Sequence, residues 1–220
     1  MPLDSYANLQ LAIAAELNRN DLTVQIPDFI TRFEGKARRA LKDWLRSTLT
    51  LTAVSGDYLL PATVAEVLGV SYGDGTSGAH NFPLSMISRE EYQGWMELSS
   101  TPVAVPGQMV TVDVDVDAGT QRLRFYPPIG TTPIATLNVE TINALPALSA
   151  TQTTNALLRD APDLYLSGSC AEAAKYLQHD ERVPMWAAER DQGFKELRIL
   201  TERRLYGGAP RDRPLARVFG

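Results

Sequence analysis

The densest carboxylate pattern in the chain is Asp113-x-Asp115-x-Asp117. Alternating aspartates open many calcium loops, because a hard cation gathers oxygen ligands. Counted from Asp113, such a loop needs glycine at its sixth position and a bidentate glutamate at its twelfth. Ala118 and Arg124 stand there instead. Val112, Val114 and Val116 alternate with the aspartates, as in a strand with one apolar and one wet face. The carboxylates therefore read as a solvated face and not as a metal site. The only histidines are His80, in a Gly/Ser-rich stretch, and His179, beside Asp180 and Glu181. Neither has a second histidine or a cysteine at ligand spacing, and a solvated cap at a helix end is the expected role of His179. Cys170, the sole cysteine, lies among Ser169, Ala171, Ala173 and Ala174. It cannot form an intrachain disulfide and reads as a packed helical thiol from a reducing compartment. There is no Gly-x-Ser-x-Gly elbow, no phosphate-cradling glycine loop before a helix and no His-Glu-x-x-His. No catalytic residue, cofactor or metal is expected, and the chain does not read as an enzyme.

Two basic groups remain. Arg32, Lys36, Arg39 and Arg46 line one predicted helix, where they meet DNA phosphates, or are solvated or pair with acids on a neighbouring subunit. The net charge of −5 favours the acids, since broad phosphate binding goes with basic proteins. The second group is the tail after Gly207-Gly208, with Pro210, Pro214, Arg211, Arg213 and Arg217 around Leu215, Val218 and Phe219. Such a segment cannot build a core of its own. It is expected to dock on a partner, with Leu215, Val218 and Phe219 as apolar anchors and Arg211, Arg213 and Arg217 paired with acids.

Helices bracket a β-rich middle. Tyr6, Leu9, Ile13 and Leu17 have helical spacing. A second helix follows Pro27, with the stripe Ile30, Phe33, Ala37, Leu41, Trp44 and Leu45. From about Leu51 to Ala150 the composition turns to Val, Thr, Pro and Gly. Strands are predicted at 58–61, 66–72 and 137–141. The capping box Ser88-Arg89-Glu90-Glu91 predicts a short helix to about Leu98. A two-residue turn at Ala118-Gly119 would set Asp115 opposite Arg122, Asp113 opposite Arg124, Val114 opposite Leu123 and Val112 opposite Phe125. Helix returns after Pro162 and again after Pro184, the latter with Trp186, Phe194, Leu197 and Leu200 as anchors. Gly168 lies inside the first of these, where it weakens a helix but lets a neighbour approach closely. The predicted fold is α+β. Residues 1–50 and 151–206 form a four-helix bundle, 51–150 an inserted small β-rich domain, and 207–220 an extended docking tail. Phe33, Trp44, Leu177, Phe194 and Leu197 are expected to share one core. The opening Met1-Pro2-Leu3-Asp4-Ser5 has no basic region before an apolar stretch, so no signal peptide is expected. No apolar run approaches the roughly 20 residues of a membrane helix.

The order of several short motifs resembles the head-to-tail adaptors (connectors) of tailed bacteriophages and gene transfer particles. They are Tyr6-Ala7-Asn8-Leu9 with Asn18-Arg19-Asn20-Asp21; Ile26-Pro27-Asp28-Phe29-Ile30 with Lys36-Ala37-Arg38-Arg39; Leu60-Pro61; Thr154-Asn155-Ala156-Leu157-Leu158; Ala161-Pro162-Asp163-Leu164-Tyr165-Leu166; and Ala171-Glu172-Ala173-Ala174-Lys175-Tyr176-Leu177. The match is densest at the helical ends and thins in the β-rich middle. Ser167-Gly168-Ser169-Cys170 departs from it, where bulkier helix formers are expected. The resemblance implies a virion structural protein made in the host cytoplasm. It implies a homo-oligomeric ring of twelve, bound to the portal protein and to a tail or nozzle protein, with genomic DNA as passing cargo and no membrane. A component of another neck layer, such as a tail tube or head-closure protein, is the nearest alternative. A small phage hydrolase or lysis factor is the alternative of a different class.

Overall fold

The computed structural model describes residues 2–54, 57–73, 81–98, 109–115, 120–126, 134–178 and 181–206. In chain order the elements are α1 (Tyr6–Leu17), α2 (Ile26–Ala40), β1 (Arg46–Val54), β2 (Tyr58–Leu59), β3 (Val64–Gly73), β4 (Asn81–Met86), α3 (Arg89–Leu98), β5 (Met109–Asp115), β6 (Thr120–Tyr126), β7 (Ile134–Asn143), α4 (Ala156–Asp160), α5 (Pro162–Leu177) and α6 (Val183–Tyr206). The fold is α+β. It divides into two compact units, Met1–Trp44 with Leu145–Gly220, and Leu45–Ala144.

In the helical unit, the Ser5 hydroxyl accepts from the Asn8 amide and caps α1. The three-to-four spacing then buries Leu9, Ile13 and Leu17. Pro27 sits in the first turn of α2, where its missing N–H costs nothing. α2 stops at Ala40, so Trp44 and Leu45 lie beyond its stripe, half-buried. The short α4 was not expected from sequence. Asn155 caps it by accepting from the Leu158 amide. Pro162 keeps α4 and α5 apart, because it has no N–H to continue a helix and forces Ala161 out of helical geometry (φ −146°, ψ 67°).

α5 is the hub, packed against α1, α2, α4 and α6. Every residue from Ser167 to Ala174 is buried, so this helix has no wet face along that stretch. The small side chains that looked anomalous in the sequence are what lets neighbours close on all sides. At Gly168 a Cβ would come 2.2 Å from two atoms of the Phe33 ring. That ring also stacks on Phe194 (centroids 6.1 Å apart) and meets Tyr165 edge-on (5.2 Å). Leu197 is buried, but Leu177 is only half-buried, as is Trp44. Of the five residues expected to share one core, a ring contact joins Phe33 and Phe194.

Among the described residues the sheet unit has seven strands, in the order β1-β7-β3-β4-β5-β6-β2. Its pairings are antiparallel except for a short parallel junction, Ser85–Met86 of β4 with Met109–Val110 of β5. Leu51, Val70, Leu84, Leu123, Phe125 and Leu137 form its core. α3 begins where the capping box placed it. The Ser88 hydroxyl accepts from the Glu91 amide at 3.2 Å, and the Glu91 carboxylate accepts from the Ser88 amide at 2.9 Å. Ser88→Ala should weaken α3 by about 0.5–2 kcal/mol. Amide exchange should quicken over residues 89–92 and not elsewhere in the sheet unit. The β5–β6 hairpin corrects the expected register. Asp113 pairs with Arg122, Val112 with Leu123, Thr111 with Arg124, and Asp115 with Thr120. The connection is longer than a two-residue turn, with 116–119 between the last paired positions. The slip is of two residues, so β6 keeps its faces: Leu123 and Phe125 are buried and Arg122 is exposed. Arg124 lies opposite Thr111 in the ladder and pairs with Asp57 (3.4 Å).

Candidate docking surface

The expected docking residues Arg211, Arg213, Leu215, Arg217, Val218 and Phe219 lie outside the described residues. Helix α6, which ends at Tyr206, makes specific contacts near its end. The last carbonyls of a helix have no partners inside it and carry its negative dipole end. Beyond α2, Arg198 donates to the Ala40 carbonyl (3.4 Å) and Arg204 to the Trp44 carbonyl (3.3 Å). Both arginines are on α6. The buried Thr201 between them bonds back to the Leu197 carbonyl (2.7 Å). The final turns of α6 are thus tied to the end of α2, and this anchors the point from which the tail leaves.

The basic face is largely committed within the chain. Lys36 bonds the Glu172 carboxylate of α5, which also accepts from Lys175 at 3.1 Å. Burial pushes the Glu172 carboxyl up, but the two ammonium groups outweigh it and hold the group below the usual carboxylate range. Arg46 is not on this helix, because α2 ends at Ala40; it opens β1 in the sheet unit and pairs with Glu140 of β7 at 2.6 Å. Arg32 and Arg39 are exposed and have no ion-pair partner among the described residues. They are the part of this face available to another molecule.

Sequence reasoning missed a buried polar lock under this surface. Glu34 is 1% exposed. Its Oε1 accepts from the Leu148 amide and from the Tyr165 hydroxyl, both at 2.9 Å. Asn155 donates to the Tyr165 oxygen (2.7 Å) and to the Pro146 carbonyl (2.8 Å). Arg38 comes within 3.8 Å of the other Glu34 oxygen. The cluster ties α2 and α5 to the segment that re-enters the helical unit. Burial raises the Glu34 carboxyl above its ordinary range, against the pull of its hydrogen bonds, and burial likewise pushes the Tyr165 hydroxyl up. The signal was present in sequence: Glu34 falls between Ile30, Phe33 and Ala37, on the apolar side of the helix.

Other candidates carry little chemistry. A groove of about 430 Å³ between α5 and α6 is lined by Asp163, Ser167, Ala188, Glu189, Gln192, Gly193 and Glu196. It offers carboxylates but no histidine or cysteine, and the Ser167 hydroxyl donates to the Leu164 carbonyl. Among the described residues no three His, Cys, Asp or Glu side chains are grouped to hold a metal. His80, His179 and Asp117 lie outside the described residues, and Cys170 is buried. No helix among the described residues is long and apolar enough to cross a membrane.

A family model described as SU10 adaptor protein matches residues 4–216. The chain belongs to the SU10 adaptor protein family. No curated protein matches it. The family is one of structural phage adaptors and not of enzymes. The match runs through the helical ends, the sheet unit and most of the tail, so the likeness is not confined to the motifs at the two ends.

Proposed function

We propose that this SU10 adaptor is a head-to-tail connector of the virion neck. Twelve copies form a ring that joins the portal protein to a tail or nozzle protein, and genomic DNA passes through its bore. Helices α1, α2, α5 and α6 act as one bundle, with the sheet unit as an insertion and 207–220 as the docking tail. The observation that carries the reading is the family match across residues 4–216. The anchoring of α6 supports it, because a tail that must find a partner's groove binds better from a fixed base. In the tail, Leu215, Val218 and Phe219 anchor in a portal groove, and Arg211, Arg213 and Arg217 pair with acids there. Order in the segment is gained on assembly, at a cost taken from the binding energy.

Co-expression with the portal of the same phage, followed by electron microscopy, tests the ring. Added density under the portal with the portal's own multiplicity is expected, and portals left bare would overturn the reading. Deleting 210–220 should leave the melting temperature of the subunit unchanged while weakening portal loading by about tenfold or more, equivalent to about 1.4 kcal/mol. Undiminished loading would reject the tail as the docking element.

A further inference from the structure

We propose that the free subunit pairs with a second copy through β1, edge to edge and antiparallel, about a two-fold axis at Thr50. Among the described residues, β1 is the terminal strand of the sheet and β7 is its only partner strand. Natural sheets protect a long edge with charge, proline, a bulge or a covering element. From Ser47 to Val54 this edge reads Ser-Thr-Leu-Thr-Leu-Thr-Ala-Val, without charge or proline. Its pairing with β7 holds one register from Arg46 to Val54, without a bulge. Thr48 and Thr50 are exposed.

The open hydrogen-bonding groups can be assigned. The Asn143 amide donates to the Leu45 carbonyl. In an antiparallel ladder, hydrogen-bonded pairs alternate along the strand. Ser47, Leu49 and Leu51 therefore turn their backbone groups to β7, and those of Thr48, Thr50, Thr52 and Val54 face outward. Thr50 is the midpoint of the strand. An antiparallel copy centred there sets Thr48 against Thr52, Thr50 against itself and Arg46 against Val54. The outward amides and carbonyls of Thr48, Thr50 and Thr52, at the centre of the nine-residue strand, each meet an outward partner.

The side chains agree with that register. Thr48-Leu49-Thr50-Leu51-Thr52 reads the same in both directions. Self-pairing about its centre therefore sets Thr50 beside its own copy on one face and Leu49 beside Leu51 on the other. Both are favourable cross-strand combinations. The only charge, Arg46, falls at the two far ends, where Glu140 of its own chain already holds it. A second copy is thus the occupant that this sequence fits.

Such a contact is isologous and closes at two copies. It cannot also be the repeating contact of a ring about a single axis, so it is a state of the unassembled subunit that entry into a ring dissolves. It covers the edge while the subunit waits. It stands apart from portal docking and survives or fails independently of it.

Sedimentation of the wild-type protein should show a reversible, concentration-dependent rise from 24.2 kDa toward twice that mass. Thr50→Pro removes one outward amide, which an edge strand tolerates, and should abolish the rise. Thr50→Lys, which brings two like charges together at the axis, should do the same if the proline variant is poorly folded. Cysteine trapping tests the register. In a hydrogen-bonded antiparallel pair the two Cα atoms lie about 5.5 Å apart, within the roughly 4.4–6.8 Å that a disulfide spans. Thr50→Cys should therefore oxidise to a covalent dimer. Thr48→Cys should not, because its own copy is offset along the strands by on the order of 13 Å. Wild-type protein is the background control, since Cys170 is buried. A wild-type mass that stays monomeric up to several hundred micromolar would overturn the proposal. So would equal trapping at positions 48 and 50.

Discussion

Replacing Phe33 with alanine should destabilise the helical unit by about 3–5 kcal/mol, the usual cost of emptying a fully buried aromatic site. The ring is 0% exposed and has contacts on three sides, with Tyr165, Phe194 and the backbone at Gly168. None of these can collapse easily into the space, because α5 is already enclosed by other helices. The sharper test adds Gly168. In the wild-type background Gly168→Ala places a methyl 2.2 Å from the Phe33 ring. The stacked and edge-on neighbours stop the ring from retreating, so overpacking should cost about 1–3 kcal/mol. In the Phe33→Ala background that clash is gone. The same substitution should then be neutral or favourable by up to about 1 kcal/mol, since alanine is the better helix former. A double-mutant cycle by urea denaturation reads the difference, and contacting residues are where such non-additivity is expected. If Gly168→Ala costs the same in both backgrounds, Phe33 is not what makes glycine necessary there.

Gly168 also shows what sequence could and could not convey. Its oddity in a helix was visible, and so was its meaning as a place of close approach, but not which side chain approaches. The capping box at Ser88–Glu91 was legible because both partners are three residues apart. The β5–β6 alternation was legible because the side-chain period of a strand is local. The hairpin register was not, because Ala118-Gly119 lacks the Asn-Gly or Asp-Gly chemistry that commits a two-residue turn. The sequence therefore left the loop length open. β4 was missed because Pro83 argues against a strand, although it pairs opposite Ser71 near the end of the β3 ladder. α4 was missed because five residues carry too little periodicity to register. Of the candidate surface, the basic helix was legible as a face, but its engagement was not. Lys36 meets Glu172 across a sequence separation of 136, and no local pattern encodes that contact. The tail was legible only as composition.

The largest pH-sensitive effect should come from Glu34. Glu34→Ala removes the acceptor shared by the Leu148 amide and the Tyr165 hydroxyl. It strands two buried donors, each costing about 1–3 kcal/mol. A loss of about 2–6 kcal/mol is therefore expected, large for a single residue on a helix. Glu34→Gln keeps a carbonyl oxygen for both donors and should be far milder. Its difference from wild type should depend on pH in a defined direction. The folded-state pKa of Glu34 is raised, chiefly by burial. A raised carboxyl binds its proton more tightly folded than unfolded. Its contribution is thus fully present below the unfolded value and is lost as pH rises through the folded one. Glutamine has no such titration. The variant should therefore compare least well with wild type under acid conditions and gain on it as pH rises past the ordinary carboxylate range. Glu172 titrates in the opposite sense, since Lys36 and Lys175 depress it, and its contribution is lost as pH falls. It is common to both proteins and cancels in the comparison at each pH. The measurement is the urea midpoint of wild type and Glu34→Gln from about pH 4 to 8. A difference that is flat, or that turns against glutamine as pH rises, would mean that the buried carboxylate is ionised at no cost and that Tyr165 and Leu148 stabilise its charged form.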